Sequence, residues 1–181
     1  MDIYLDNAAT TKIDPEVIAV MNKTMKSTWA NPSSIHKKGQ EARNLLEKSR
    51  KIIAKKINAL PEEIIFTSSA TEANNLAICG ILKIRKQKQI IISAIEHPSI
   101  INLCKQLEKE GYNINYLRVD KEGKINLKEL ESSLTEETAL VSIQHVNNEI
   151  GVIQDIQNIA KICKKKNIPF HTDAVQSFNK I

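Results

Sequence analysis

The chain has 181 residues, of which 41% are hydrophobic and 26% are charged, and its formal net charge is +5. These proportions are typical of a globular domain and do not favour a disordered or fibrous protein. No apolar run reaches the roughly 18 residues of a membrane span, and three widely spaced cysteines favour neither a disulfide framework nor a zinc site. We therefore expect a cytoplasmic protein that has no metal and, since its lysines are spread over helix faces, no nucleic-acid partner.

Two helices are predicted in the first third of the chain, after an extended leader over residues 1–14. The stretch Asp14-Pro15-Glu16 favours a helix start, with aspartate as the cap, proline in the first turn and glutamate at the positive end of the helix dipole. We expect this helix over residues 15–27 and a second over residues 40–58, where apolar residues recur at helical spacing. No repeat or linker follows, so residues 15–181 are expected to form one domain.

The remaining sequence alternates short apolar runs with helical segments. Strands are predicted over residues 64–67, 90–93, 114–119, 139–144 and 168–171. Helices are predicted over residues 72–86, 99–110, 127–134 and 156–166, with Gly111 ending one of them. Apolar strands separated by helices indicate an α/β fold, in which a mostly parallel sheet has helices on both faces.

Polar residues follow four of the five predicted strands, in the stretches SSATEANN, AIEHPS, HVNNEIG and HTDAVQS. Ligands of open α/β sheets bind beyond the carboxyl ends of the strands, so these four stretches are expected to meet at one rim. The first stretch, at a strand-to-helix junction, can surround an anion such as a phosphate with N–H and hydroxyl groups, or can be a simple helix cap. His97 is kept out of the helical conformation by Pro98, and its ring can stack on a flat ligand, transfer a proton or be merely structural.

The last two polar stretches also have two interpretations each. Asn148 can belong to an ordinary turn or can bind a ring substituent through its amide group. Asp173, a carboxylate at the end of an apolar strand, can cap a helix or can neutralise a buried cation such as a protonated ring nitrogen. Together, an anion site, an imidazole, an amide and a carboxylate are the set that pyridoxal phosphate needs. Nicotinamide and Walker-type nucleotide sites are disfavoured, because their glycine-rich motifs do not occur.

The chain resembles the amino-terminal half of a cysteine desulfurase, a pyridoxal-phosphate enzyme of fold type I in the class-V aminotransferase group. The matching stretches are YLDNAATT, NPSSIHKKGQEAR, EEIIFTSSATEANNLAI, AIEHPSI, VSIQHVNNEIGVIQDI and FHTDAVQSFNKI. They cover the chain almost from end to end in the order of the family. The resemblance implies that residues 1–14 belong to a small domain and residues 15–181 to part of the large, cofactor-binding domain.

The resemblance also implies six cofactor-binding residues, namely Ala70, Thr71, His97, Asn148, Asp173 and Gln176. By motif position the first two bind the phosphate, the histidine stacks on the pyridine ring and assists proton transfers, the two amides bind near the phenolic oxygen, and the aspartate pairs with the ring nitrogen. Ser69 departs from the family, which usually has glycine there. We expect this serine to cost backbone freedom and to alter the affinity for phosphate.

The activity implied by the resemblance is the conversion of L-cysteine to L-alanine. Sulfur passes to an enzyme cysteine as a persulfide, for iron–sulfur cluster assembly and tRNA thiolation. The lysine that binds the cofactor, the accepting cysteine and the arginine that holds the substrate carboxylate do not map onto this chain. The three cysteines present lie in helical patterns and do not resemble the acceptor. We therefore expect the 181 residues alone to be inactive.

Several alternatives remain open at the level of sequence. The chain can act as a homodimer, can pair with a separate carboxyl-terminal half, or can be a non-catalytic binding or assembly module that pairs with such a half or with a full-length homologue. The resemblance implies iron–sulfur scaffold or sulfur-acceptor proteins as partners of the desulfurase. A selenocysteine lyase or a class-V aminotransferase acting on small amino acids would share the same fold.

Overall fold

The structure, a computed structural model, describes residues 3–181, so the first two residues of the predicted leader lie outside it. The chain divides into two compact units, with the boundary between Phe66 and Thr67. Each unit is described separately below.

The first unit contains two helices, α1 (Pro15–Ser27) and α2 (Lys37–Lys56), followed by a 3₁₀ turn over Pro61–Glu63. The predicted cap of α1 is confirmed, because the side chain of Asp14 accepts a hydrogen bond of 2.7 Å from the backbone N–H of Glu16. Helix α2 begins three residues earlier than predicted. Its cap is His36, whose Nδ1 atom accepts from the backbone N–H of Gly39 at 3.2 Å.

The predicted strand over residues 64–67 is wrong. The backbone at Ile64 is extended, but no described strand pairs with this segment. The guanidinium group of Arg50 donates to the carbonyl oxygen of Ile64 and lies 4.8 Å from the centre of the Phe66 ring. A side chain of α2 therefore takes the acceptor that a neighbouring strand would have used.

The second unit is built on a four-stranded sheet of β1 (Gln89–Ser93), β2 (Asn113–Leu117), β3 (Thr138–Ser142) and β4 (Phe170–His171). The order in space is β2-β1-β3-β4, and every pair is parallel. Four helices connect or precede the strands: α3 (Ala70–Ile84), α4 (Pro98–Lys109), α5 (Leu127–Ser133) and α6 (Ile156–Lys165).

The core of this unit lies on both faces of the sheet. Ile90 and Ile92 of β1 pack with α3 and α4, whereas the intervening Ile91 packs with α5 and α6. This alternation follows from the period of two in a strand. The predicted α/β class, with a parallel sheet covered by helices on both faces, is confirmed. No helix in residues 3–181 has the length and apolarity to cross a membrane.

Candidate active site

Two predicted site residues, His97 and Asp173, are joined through two other side chains by hydrogen bonds. Atom Nδ1 of His97 lies 2.8 Å from the hydroxyl oxygen of Ser99, and this oxygen lies 3.1 Å from Nδ2 of Asn74. The same Nδ2 atom donates to Oδ2 of Asp173 at 2.9 Å. This network connects the end of β1, helix α3 and the end of β4, so the expected convergence of strand ends is observed for these elements.

His97 is placed by the start of α4. Its backbone has φ −60° and ψ 147°, outside the helical region, and Pro98 is the first helical residue. The prediction that proline holds this histidine at the mouth of the helix is confirmed. Its Nδ1 atom caps α4 by accepting from the backbone N–H of Ser99 at 3.1 Å, and the side chain is exposed.

Ala70 and Thr71 form the exposed first turn of α3, where backbone N–H groups have no acceptor within the helix. The cap is Ser69, whose hydroxyl accepts from the N–H of Glu72 at 3.2 Å. Ser69 has φ −161°, an extended conformation open to any residue, so the expected cost of serine in place of glycine does not arise. Ser68 donates both its N–H and its hydroxyl to the Glu72 carboxylate, and these bonds lower the pKa of that group.

The loop after β3 is tied to the loop after β1. The buried amide of Asn147 donates to the carbonyl of Ile95 at 2.9 Å, and the side chain of Gln144 donates to the same carbonyl at 2.7 Å. The predicted residue Asn148 is half-buried and donates to Glu149 at 2.7 Å. The segment before Asn148 is therefore fixed to Ile95, which lies after β1 and two residues before His97.

Asp173 and Gln176 lie just beyond β4. Oxygen Oδ1 of Asp173 accepts from the N–H of Val175 at 3.0 Å, and the carbonyl of Asp173 accepts from the N–H of His145 at 2.9 Å. The half-buried Gln176 lies in the turn that starts at Ala174. Both oxygens of the Asp173 carboxylate thus have a donor, which fixes the orientation of the group.

Two buried titratable groups lie near this carboxylate. Burial raises the pKa of Glu96 to about 8, and the charge of Asp173 acts in the same direction, against the N–H bond from Gln144. His171, which bonds Ser142 at 2.8 Å through Nδ1, has its pKa lowered by burial, while the charge of Asp173 opposes that shift.

The cysteines lie where the helical patterns predicted, in α3 (Cys79), α4 (Cys104) and α6 (Cys163), and all three are free. Burial raises the pKa of Cys104 to about 12 and that of Cys163 to about 11. These two thiols are therefore poor nucleophiles. Within residues 3–181, no group of three or more His, Cys, Asp or Glu side chains is arranged to hold a metal ion.

Comparison with known proteins places this site in a family. The sequence model of the class-V aminotransferases matches residues 3–181. The chain belongs to the class-V aminotransferase family. A cysteine desulfurase IscS of Pectobacterium carotovorum is 46% identical over the whole chain, which covers 46% of that relative. The chain is therefore a homologue of the cysteine desulfurases within the class-V family.

Solved structures of this family have the same fold. A NifS-like protein superposes with a TM-score of 0.96 at 39% identity, over 100% of this chain and 51% of that protein. A structure described as SspA in complex with cysteine gives a TM-score of 0.91 at 38% identity, over 97% of this chain and 51% of that protein. The chain thus spans about half the length of the class-V relatives that it matches.

Sequence reasoning missed Asn74, Ser99 and Glu96. Asn74 is 4% exposed and lies on the same stripe of α3 as the buried residues Ile78 and Leu82. An asparagine four and eight residues before two core positions was a detectable signal, since buried amides need partners. Ser99 resembled an ordinary first-turn serine, and Glu96 had no sequence feature that indicated burial.

Proposed function

We propose that the chain forms the cofactor-facing part of a pyridoxal-phosphate-dependent cysteine desulfurase. The observation that supports this most is the network from His97 through Ser99 and Asn74 to Asp173. It brings an imidazole and a fixed carboxylate to the carboxyl ends of parallel strands, where ligands of α/β sheets bind.

The residues present fit pyridoxal phosphate. Asp173 is held by donors on both oxygens, and each carboxylate oxygen has a second lone pair available for a protonated ring nitrogen. Asn74 lies one helical turn beyond Ala70 on the same face of α3, so the open first turn that would bind the phosphate is next to this carboxylate.

The remaining assignments are proposed from motif position and location. The ring of His97 would stack on the cofactor and move protons, and the amides of Asn148 and Gln176 would bind near its phenolic oxygen. When bound, pyridoxal phosphate supplies an electron sink, which depends on a protonated ring nitrogen. Asp173 would maintain that protonation, because a carboxylate stabilises a neighbouring cation.

The proposed reaction takes the sulfur of L-cysteine and leaves L-alanine, while an enzyme thiol becomes a persulfide. The C–S bond of cysteine is replaced by a C–H bond in alanine, and the sulfur forms an S–S bond with the enzyme thiol. Atoms and electrons therefore balance without an added oxidant. Four further properties stay predictions. They are the delivery of sulfur to iron–sulfur scaffold proteins or to tRNA thiolation, a homodimeric or paired assembly, a cytoplasmic location, and the division into a small-domain segment (1–14) and a large-domain part (15–181). The inactivity of these 181 residues alone also stays a prediction, since their relatives are about twice as long.

Equilibrium dialysis against pyridoxal 5′-phosphate tests the proposal directly. We expect the chain to retain the cofactor, and Asp173→Ala to weaken this binding by about tenfold or more, as for the loss of a charged hydrogen-bond partner. Asp120→Ala is a matched control. It also removes a carboxylate that accepts backbone N–H bonds, but this one caps a turn after β2 and does not belong to the candidate site. Cysteine is then added together with a reducing thiol, which releases persulfide sulfur as sulfide, and alanine and sulfide are measured.

Equal retention by the wild type and Asp173→Ala would contradict the assigned site. Release of alanine and sulfide by the 181-residue chain would contradict its predicted inactivity and would leave the assigned chemistry in place.

A further inference from the structure

We propose that Asn74 and Ser99 are positioning residues that set the tautomer of His97 and couple its ring to the carboxylate of Asp173. The inference rests on the proposed function only for the identity of the ligand that these groups serve. The four side chains come from α3, the start of α4 and the end of β4. They form a continuous chain of hydrogen bonds of 2.8–3.1 Å.

The direction of each bond is fixed by the chemistry of its atoms. The backbone N–H of Ser99 can only donate, so Nδ1 of His97, at 3.1 Å, is an acceptor and carries no proton. The hydroxyl of Ser99, 2.8 Å from the same Nδ1, therefore donates to it. Its oxygen accepts one amide proton of Asn74, and the other amide proton goes to Asp173.

One consequence concerns the proton of His97. A neutral imidazole carries a proton on one nitrogen only, so the proton of His97 is on Nε2. A ligand that reaches Nε2 meets an N–H donor rather than a lone pair. In the proposed reaction the neutral ring would therefore offer its Nε2–H group as a hydrogen-bond donor. To accept a proton at Nε2, the ring would first have to carry its own proton on Nδ1, the atom that faces both the N–H and the hydroxyl of Ser99.

A second consequence concerns communication along the network. Hydrogen bonds in a chain polarise one another, so a hydroxyl that accepts a bond also donates a stronger one. Asn74 is 4% exposed, and water cannot readily replace it. Its amide joins the carboxylate that would face the ring nitrogen to the Ser99 hydroxyl, which in turn bonds the imidazole that would stack on the ring.

Nuclear magnetic resonance of the cofactor-free chain tests this inference without any assumption about activity. With ¹⁵N-labelled histidine, we expect His97 to show an unprotonated, hydrogen-bonded Nδ1 and a protonated Nε2. His97→Gln assigns the signal among the four histidines. Ser99→Ala should shift the Nδ1 resonance toward that of a free nitrogen, and Asn74→Leu should shift it part of the way.

The coupling is read from a double-mutant cycle. Asp173→Ala should change the Nδ1 resonance of His97 in the wild type and leave it nearly unchanged when Asn74→Leu is also present. Gln154→Leu is the matched control, because it removes another buried amide, one that bonds the loop at Gly123 and Ile125. It should alter stability and leave His97 unchanged.

Cofactor binding provides an independent readout. Asn74→Leu should weaken retention of pyridoxal 5′-phosphate by about tenfold, with a smaller loss for Ser99→Ala, since the bond to the charged carboxylate is the stronger of the two. A proton on Nδ1, or a His97 resonance indifferent to both substitutions, would overturn the inference. If no form of the chain binds the cofactor, the proposed function fails while the result for the tautomer stands. Ser99→Ala is conservative enough to decide the matter even if Asn74→Leu does not fold.

Discussion

Glu96 is a carboxylic acid buried directly before His97. It is 5% exposed, and its Oε1 atom accepts from the backbone N–H of Gln144 at 2.8 Å. Its Oε2 atom is buried and has no hydrogen-bond partner among the described residues. With a pKa raised to about 8, chiefly by burial, this group is mostly neutral at pH 7. It therefore adds little negative charge beside Asp173.

Glu96 should make the folded chain less stable as the pH rises. The unfolded carboxyl loses its proton near its ordinary pKa of 4.5, and the folded one near 8, so stability falls across this interval. The slope approaches about 1.4 kcal/mol per pH unit for one group. The free energy of unfolding of Glu96→Gln, measured with urea across this pH range, should not show that fall. The stability of the variant relative to the wild type should therefore rise toward the alkaline end.

His171 acts in the opposite direction, because its pKa is lowered by burial and its contribution to stability is lost as the pH falls below 6.5. The contribution of His171 is the same in Glu96→Gln and in the wild type, so it cancels when the free energy of unfolding of one is subtracted from that of the other. Glu131→Gln, at an exposed position, is the control. Parallel stability curves for Glu96→Gln and the wild type would show that Glu96 is already ionised in the folded chain.

The candidate site could be predicted from sequence only where a motif carried it. His97 and Asp173 were identified because each lies in a polar stretch that follows a strand, and Pro98 fixed the backbone of the histidine. The spacing of Asn74 indicated that it is buried. The roles of Asn74 and Ser99 could not be predicted, since they depend on a bond between residues 74 and 173 that only the packed sheet creates. Glu96 was also missed because its role depends on packing: burial, and not residue type, raises the pKa of its carboxyl group.

At the level of elements, the helices and the central strands follow from local rules. Caps, proline positions and apolar spacing located α1 and α3–α6 to within about two residues, a normal uncertainty for helix ends. The segment over residues 64–67 has the composition of a strand, but a strand also needs a partner. Arg50 occupies the carbonyl of Ile64, and Ile65 is 69% exposed. Pairing is a tertiary property that composition does not report.

The cap of α3 gives a prediction at this scale. Ser69→Ala should lower the free energy of unfolding by about 1 kcal/mol, because the N–H of Glu72 loses its acceptor. Ser69→Gly, which restores the residue usual in the family, should cost only a few tenths of a kcal/mol. Urea unfolding monitored by circular dichroism measures both values, with the exposed Ser132→Ala as the control. A larger loss for glycine than for alanine would mean that the hydroxyl of Ser69 contributes little to the cap.

At the scale of the whole molecule, the two core layers of the second unit bury two of its three thiols. Cys104 is 0% exposed between α4 and the sheet, and Cys163 is 1% exposed on the opposite face. Both are within the packed cores and not at the strand ends where the candidate site lies. A sulfur acceptor must be an accessible thiolate, so neither residue suits that role.

Thiol labelling with an Ellman-type reagent tests this arrangement. In mildly alkaline buffer, the half-buried Cys79 should react first, and Cys104 and Cys163 should react only at the rate at which the unit opens. Their pKa values of about 12 and 11 leave almost no thiolate in the folded chain. Urea should release both together, because each lies in a core built on the same sheet, and Cys79→Ser should abolish the early phase. Rapid native labelling of Cys104 or Cys163 would contradict the packing, and would reopen that thiol as a candidate acceptor of sulfur.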